Sequence, residues 1–159
     1  MASQVEVMIR NTITRMINAS ASINRRFKNP FREHLFLSGI HAPMTEELLL
    51  EALPVTGELP STLTGTYARI GPNPYKVDPR GHHWFVGDGM VHGIRISNGQ
   101  PQWYRNRFIK SQALERQGGP KAACGPRRGG RDTVNTNVLK LAGKTLALVE
   151  SGPFPFELD

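Results

Sequence analysis

The sequence predicts an all-β fold preceded by an amphipathic helix, and three features lead to this prediction. From Pro60 onward, short apolar segments alternate with clusters of Gly, Pro, Asn and Asp, which is typical of strands separated by turns. Asn98-Gly99 lies between two such segments and is a dipeptide that type I′ hairpins prefer. Ala142-Gly143-Lys144 separates two more. Regular short strands of this kind build sandwiches, barrels or propellers, and periodicity alone does not distinguish among them.

The N-terminal segment, residues 1–29, has a helical pattern. Apolar residues recur near one face over residues 4–23, and the basic residues Arg25, Arg26 and Lys28 follow. Such a helix can lie on an anionic membrane surface, and a core helix or a frayed terminus gives the same pattern. Peripheral membrane contact through residues 4–28 is therefore one of three open interpretations.

The remaining elements are predicted from local signals. Pro30 and Pro43 punctuate an irregular stretch, and Glu46 to Leu53 is predicted to form a short helix that ends before Pro54. Residues 118–130 and 151–159 are predicted to be loops. Strands and turns are then expected to alternate, with strands at 66–70, 83–86, 90–96, 102–109, 134–141 and 145–150, and turns at 71–74, 87–89, 97–100 and 142–144.

Composition narrows the class of protein. With 38% apolar and 21% charged residues over 159 positions, the chain is neither membrane-spanning nor disordered. Cys124 is the single cysteine, so no intramolecular disulfide forms, and a reducing cytoplasm is the expected location. The net charge is +7, and eight basic residues lie between Arg105 and Arg131. A solvated loop explains them better than nucleic-acid binding, because zinc-finger, RNP and helix-turn-helix patterns are missing.

Few residues have the pattern of a reaction site. His82, His83 and His92 suggest a metal, but neighbouring residues on a strand point to opposite faces, so these three alone make a poor ligand set. Gly87-Asp88-Gly89 lacks the Lys-Ser/Thr of a phosphate loop and predicts a tight turn. Glu150 closes an apolar strand, and composition alone favours a solvated strand end.

Five segments in order carry a resemblance. They are GTYARIGPNP at 65–74, HWFVGDGMVH at 83–92, YRNRFI at 104–109, NTNV at 135–138 and LALVESG at 146–152. Together they resemble the carotenoid cleavage oxygenases, a family that includes bacterial carotenoid and lignostilbene cleavers, plant epoxycarotenoid enzymes and the vertebrate retinoid isomerase. The match runs from about Pro30 to the last residue. Val86 stands where many members have Asp, and residues 123–130 match poorly.

The resemblance implies a seven-bladed β-propeller, of which residues 30–159 would form the N-terminal one to two blades. It also implies Fe(II) held by four histidines, with three glutamates hydrogen-bonded to three of them. Glu150 matches the first of these glutamates and would support a ligand histidine. The ligand histidines themselves are expected beyond Asp159, so catalytic residues and bound iron are not expected in this chain, and the 159-residue polypeptide is expected to be an inactive fragment.

The function implied by the resemblance is that of an oxidoreductase. A non-haem Fe(II) dioxygenase would cleave a carbon–carbon double bond of a carotenoid, apocarotenoid or stilbene, with that apolar molecule and O₂ as its partners. The alternative is a non-catalytic β-rich binding module derived from the family. The sequence does not identify the substrate or the cleaved bond.

Overall fold

A computed structural model describes residues 4–27, 34–128, 132–150 and 152–158 of the chain. It divides into two compact units, one of residues 1–42 with 77–83 and the other of residues 43–76 with 84–159. The predicted boundary at Pro30 lies outside the described residues. Most of the regular structure is β, with few helices, which agrees with the prediction of a mainly β chain.

The first unit contains α1 (Gln4–Arg26) and two short 3₁₀ turns, Gly39–His41 and Pro79–Gly81. The helix confirms the prediction made over residues 4–23. No Gly or Pro interrupts it. The hydroxyls of Thr12 and Ser20 donate to carbonyls of the preceding turn, both at 2.9 Å, which lets these weaker helix formers lie inside a helix.

The second unit contains two antiparallel sheets. In the four-stranded sheet the order is β1-β4-β3-β2, and in the three-stranded sheet it is β5-β6-β7. A short helix, α2 (Gln112–Arg116), lies between the sheets in sequence. The strands are β1 (Leu49–Leu50), β2 (Gly65–Asn73), β3 (Asp88–Ser97), β4 (Gln100–Phe108), β5 (Asn137–Leu141), β6 (Lys144–Leu148) and β7 (Phe156–Leu158). Neither sheet closes on itself within the described residues.

Both predicted hairpin turns are confirmed. Asn98 and Gly99 have φ values of 49° and 72°, and Ala142 and Gly143 have 48° and 80°. Positive φ at both central residues is the signature of the type I′ turn, whose twist matches that of the strands it joins. The two turns fix the register of β3 with β4 and of β5 with β6.

Two small cores lie on opposite faces of β3. Met90 and its partner Phe108 on β4 pack with Leu114 of α2. The neighbouring residue Val91 packs instead, with Ile70 of β2, against Ile109, Val134 and Ala147 beside the second sheet. Because successive side chains of a strand point to opposite faces, β3 takes part in both cores.

The helix predicted at Glu46–Leu53 is wrong, because this segment is extended and contains β1. The Leu48 N–H donates to Asn106 Oδ1 at 2.5 Å, and Glu47 Oε1 accepts the Phe108 N–H at 2.8 Å. These partners lie 58 and 61 residues along the chain. Local periodicity contains no information about them, so tertiary contacts decide the conformation.

Three boundaries around β2, β3 and β7 also differ from prediction. The turn expected at residues 71–74 is wrong for its first three residues, which continue β2, and the edge position of β2 tolerates Pro72. Residues 83–86 form no strand, whereas Asp88 and Gly89, expected in a turn, begin β3. The loop expected at 151–159 contains β7, although Ser151 and Asp159 lie outside the described residues.

Candidate functional site

The carboxylate of Glu150 lies just beyond the end of β6. Thr136, which precedes β5, donates from Oγ1 to Glu150 Oε2 at 3.1 Å, and the Thr136 N–H donates to the Leu148 carbonyl at 3.0 Å. Glu150 is exposed, and the described residues place no cation against it and no hydrogen-bond partner on its Oε1. The site is therefore a carboxylate with one oxygen fixed and the other open.

A chain of polar contacts connects this carboxylate to the first sheet. The Thr136 hydroxyl lies 3.3 Å from Asn135 Oδ1, and Asn135 Nδ2 donates to the Gly87 carbonyl at 3.0 Å. Gly87 lies close to the end of β2, since a Cβ on residue 87 would lie 2.9 Å from the backbone nitrogen of Asn73. Residues from four of the five segments that carry the resemblance thus meet at one place: Asn73, Gly87, Asn135 with Thr136, and Glu150.

Sequence reasoning singled out Glu150 but missed Thr136 and Asn135. The hairpin register was the available signal, because β5 and β6 pair Asn137 with Leu148 around the predicted turn. Continuing that register places residue 150 opposite residue 135, so a polar residue at 135 predicts proximity to the carboxylate. Residue 136 would point to the other face of a regular ladder, so the register does not predict the Thr136 contact, which forms where both residues lie outside the paired strands.

Asp88 is a buried structural acceptor. Its Oδ2 accepts the Tyr75 N–H at 3.0 Å, and Gln117 Nε2 donates to both carboxylate oxygens at 3.0 and 3.2 Å. The tight turn predicted at Gly87-Asp88-Gly89 is wrong, because Asp88 and Gly89 begin β3 and the carboxylate binds the distant residues Tyr75 and Gln117. Gly87 and Gly89 also lie outside the positive-φ region, so the glycines serve close packing instead of a turn.

Two asparagine amides hold the segment before β1 against the sheet. Asn73 accepts the Met44 N–H at 2.8 Å and donates to the Met44 carbonyl at 2.9 Å. Asn106, which is fully buried, accepts the Leu48 N–H and donates to the Glu46 carbonyl at 2.9 Å. Each side chain reproduces the pair of bonds that a neighbouring strand would make.

His82 and His92 each contact another ring. His92 Nδ1 lies 2.8 Å from the Tyr104 hydroxyl, and the His82 ring packs edge-on against His34 with centroids 5.3 Å apart. Within the described ranges, no three His, Cys, Asp or Glu side chains are grouped so that they could hold a metal ion. Burial lowers the pKa of His82, with smaller contributions from the nearby charges of His34 and His83.

We expect His92 to make folding sensitive to acid. Burial lowers the pKa of His92, and the charge of Arg69 lowers it further. A folded-state pKa below the unfolded value, about 6.5, means that the unfolded state binds more protons in this range. This contribution to stability is therefore fully present above about pH 6.5 and is lost as the pH falls from there through the lower folded-state pKa. Urea unfolding between pH 8 and 5.5 should show a weaker pH dependence in His92→Gln than in wild type.

The comparison variant for this prediction is His82→Gln, because the pKa of His82 is also lowered. It should remove its own part of the pH dependence, and the double variant should remove more than either single change. A glutamine at position 92 can still hydrogen-bond the Tyr104 hydroxyl, so loss of packing does not dominate the result. A His92→Gln chain whose urea midpoint varies with pH as wild type does would contradict the prediction.

The basic region between Arg105 and Arg131 is not a solvated loop throughout, and that prediction is corrected. Arg105 and Arg107 belong to β4, and Arg107 Nη1 donates to the Leu48 carbonyl at 3.0 Å. Arg127 lies 3.4 Å from Asp132, which is buried and accepts the Gln112 N–H at 2.6 Å at the start of α2. Arg131 lies outside the described residues.

The family model and the relatives that match this chain agree with one another. The profile of the family described as "Retinal pigment epithelial membrane protein" matches residues 41–159. The carotenoid cleavage oxygenase of Mycobacterium tuberculosis H37Rv is 46% identical over 127 residues, which are 77% of this chain and 25% of that protein. A carotenoid 9,10(9′,10′)-cleavage dioxygenase 1 of Phaseolus vulgaris is 43% identical over 84 residues, 53% of this chain and 15% of that protein.

Solved structures agree with these relatives. The lignostilbene dioxygenase of Pseudomonas brassicacearum superposes with a TM-score of 0.66 at 28% identity, covering 83% of this chain and 30% of that one. A cobalt-substituted Synechocystis apocarotenoid oxygenase superposes with a TM-score of 0.56 at 26% identity, covering 74% and 28%. The chain thus spans about a quarter of the length of its bacterial relative.

Proposed function

The chain belongs to the carotenoid cleavage oxygenase family, and we propose that it forms part of a non-haem Fe(II) dioxygenase that cleaves a carbon–carbon double bond with O₂. Support for the reaction comes from the relatives, which are named as carotenoid cleavage and lignostilbene dioxygenases. The proposed substrate is accordingly an apolar carotenoid, apocarotenoid or stilbene. The complete enzyme, and not these 159 residues alone, is proposed to turn it over.

Glu150 is the residue of this chain that we propose to take part, as a positioning residue. Bound Fe(II) would supply the chemistry of O₂ activation, and the family resemblance expects its histidine ligands after Asp159. The fit of the chain to this role rests on the geometry of Glu150. Its Oε2 is held by Thr136 at 3.1 Å, and its exposed carboxylate is open to a further donor.

In this role the carboxylate accepts the N–H of a ligand imidazole through its open oxygen. Such a bond fixes the ring orientation and the tautomer, so that the other ring nitrogen is presented to the metal. Thr136 contributes by restricting rotation of the carboxylate, since one oxygen is already engaged. The cobalt-substituted relative supports the proposal of a transition-metal centre.

Substitution of Glu150 by Gln in the complete enzyme tests this proposal. Gln retains the shape but removes the charge, so we expect iron affinity or turnover to fall about 10–100-fold, and iron occupancy to fall with the affinity. Iron is measured by metal analysis after gel filtration, and turnover by cleavage of a carotenoid or a stilbene. Glu157→Gln is the matched control, because Glu157 is also an exposed glutamate of this sheet and pairs only with Lys144 among the described residues, at 2.6 Å.

The possible outcomes separate the alternatives. Unchanged iron content and turnover in Glu150→Gln would return Glu150 to a solvated strand end. A complete wild-type protein that binds no iron and cleaves none of these substrates would support the non-catalytic binding module instead.

We further propose that the two sheets belong to one to two blades of a β-propeller. A four-stranded antiparallel sheet followed by a second antiparallel sheet supports this assignment, as do the oxygenase structures that superpose on the chain. The division into a helical segment at 1–29 and a propeller part at 30–159 remains a prediction. A cytoplasmic location also remains a prediction, resting on the single Cys124.

A further inference from the structure

Asn135 lies immediately before the paired part of the second hairpin. β5 begins at Asn137, and the Thr136 N–H adds one more backbone bond, to the Leu148 carbonyl at 3.0 Å. Residue 135 precedes these bonds, and its side chain provides an anchor of another kind. The half-buried amide donates from Nδ2 to the Gly87 carbonyl at 3.0 Å. The side chain therefore fixes a part of the chain that the strand ladder does not include.

The carbonyl that accepts this bond belongs to a closely packed backbone. A Cβ on residue 87 would lie 2.9 Å from the Asn73 nitrogen and 3.1 Å from the Pro72 carbonyl carbon, so Gly87 packs against the end of β2. Gly87 also directly precedes β3. The bond from Asn135 thus connects the start of the second hairpin to the four-stranded sheet. Because a carbonyl only accepts hydrogen bonds, it also determines which way the amide points.

The amide in this orientation presents its oxygen to Thr136. Asn135 Oδ1 lies 3.3 Å from Thr136 Oγ1, which lies 3.1 Å from Glu150 Oε2. A hydroxyl has one proton, and an ionised carboxylate is a stronger acceptor than an amide oxygen. The proton therefore goes to Glu150, and the hydroxyl oxygen lies between the two acceptors. Because residues 135 and 136 are consecutive, any movement of Asn135 would displace this hydroxyl.

We infer that Asn135 is a positioning residue, which fixes Thr136, and through it the Glu150 carboxylate, to the backbone of Gly87. The inference rests on the proposed role of Glu150 and extends that role to a residue connected to the carboxylate through Thr136. A carboxylate that is held less firmly accepts an imidazole N–H over a wider range of orientations, so it orients the ring less well. Loss of the Asn135 amide should therefore weaken metal binding by the complete enzyme.

Titration of the complete apoenzyme with Fe(II) under nitrogen tests the inference without turnover. We expect Asn135→Ala to weaken binding about fivefold, and Thr136→Val, which keeps the shape but lacks the hydroxyl, to weaken it about tenfold. The double variant should bind no more weakly than Thr136→Val alone, because Asn135 acts through that hydroxyl. Urea unfolding of the same variants separates weaker binding from loss of folded protein.

Asn137→Ala is the matched control. Asn137 is an exposed asparagine of the same hairpin, opposite Leu148, and the described residues give its side chain no hydrogen bond. This variant should bind iron as wild type does. Wild-type affinity in Asn135→Ala, with weaker binding in Glu150→Gln, would overturn the inference and leave the role of Glu150 standing. Losses that add in the double variant would also overturn it. Wild-type affinity in Glu150→Gln would remove the proposed role of Glu150 and this inference with it.

Discussion

Replacement of Gly89 by Ala should destabilise the second unit by about 3 kcal/mol or more, since a rigid backbone group occupies the space. A Cβ at position 89 would collide with the Val134 carbonyl oxygen and would lie 3.0 Å from Ile109 Cγ1. The Gly89 carbonyl also accepts the Ile109 N–H at 2.7 Å, which holds β3 against the residue that follows β4. Relief of the collision would have to separate β3 from the segment that leads into β5.

Gly71→Ala is the control for this prediction. Gly71 lies in the same sheet, on β2 opposite Met90, and a Cβ there would have no atom within 4 Å. Gly71→Ala should change the free energy of unfolding by less than about 1 kcal/mol. We expect an increase, because Ala restricts the unfolded chain more than Gly does. Urea unfolding of both variants gives the comparison. A Gly89→Ala protein within about 1 kcal/mol of wild type would show that this packing is less tight than the geometry indicates.

The glycines of this chain show where a prediction from the sequence succeeds and where it fails. Asn98-Gly99 and Ala142-Gly143 were predictable because a type I′ turn is a local structure with a local residue requirement. The helix α1 was predictable for the same reason, since its period is written in consecutive residues. Gly89 was misassigned to a turn because the reason for a glycine there lies 45 residues away, at the carbonyl of Val134.

The candidate site likewise contains some residues whose roles could be predicted from the sequence and others whose roles could not. The resemblance identified Glu150 by its place in a segment, and composition alone assigned it to solvent. The contact with Thr136 does not follow from the hairpin register, because residue 136 would point to the other face of a regular ladder; it forms where the chain lies outside β5 and β6. The roles of Asn73, Asp88 and Asn106 could not be predicted, because each binds the backbone of a segment that is distant in sequence. Several recognised motifs therefore contain polar residues with structural duties.

Asn106→Leu should cost about 2–4 kcal/mol, because it leaves polar backbone groups without partners. The side chain is fully buried; its Oδ1 accepts the Leu48 N–H, and its Nδ2 donates to the Glu46 carbonyl and lies 3.2 Å from Met90 Sδ. Leu has the same branched shape and is somewhat larger, so it leaves no cavity and the loss reports the hydrogen bonds together with any overpacking. The segment before β1 should detach, and hydrogen exchange at the Leu48 amide should rise more than exchange within β3.

Two further variants decide whether the amide itself is responsible. Asn106→Asp keeps an acceptor for the Leu48 N–H but brings a carboxylate to the Glu46 carbonyl, so it should also be destabilising at neutral pH. Gln102→Leu is the control, since Gln102 is an exposed residue of the same strand whose amide bonds only locally, to the Gln100 carbonyl at 3.0 Å. It should change stability by less than about 0.5 kcal/mol. Equal losses in Asn106→Leu and Gln102→Leu would contradict the assignment, because an apolar residue on β4 would then be harmful wherever it lies, and the buried amide would have no special part in holding β1.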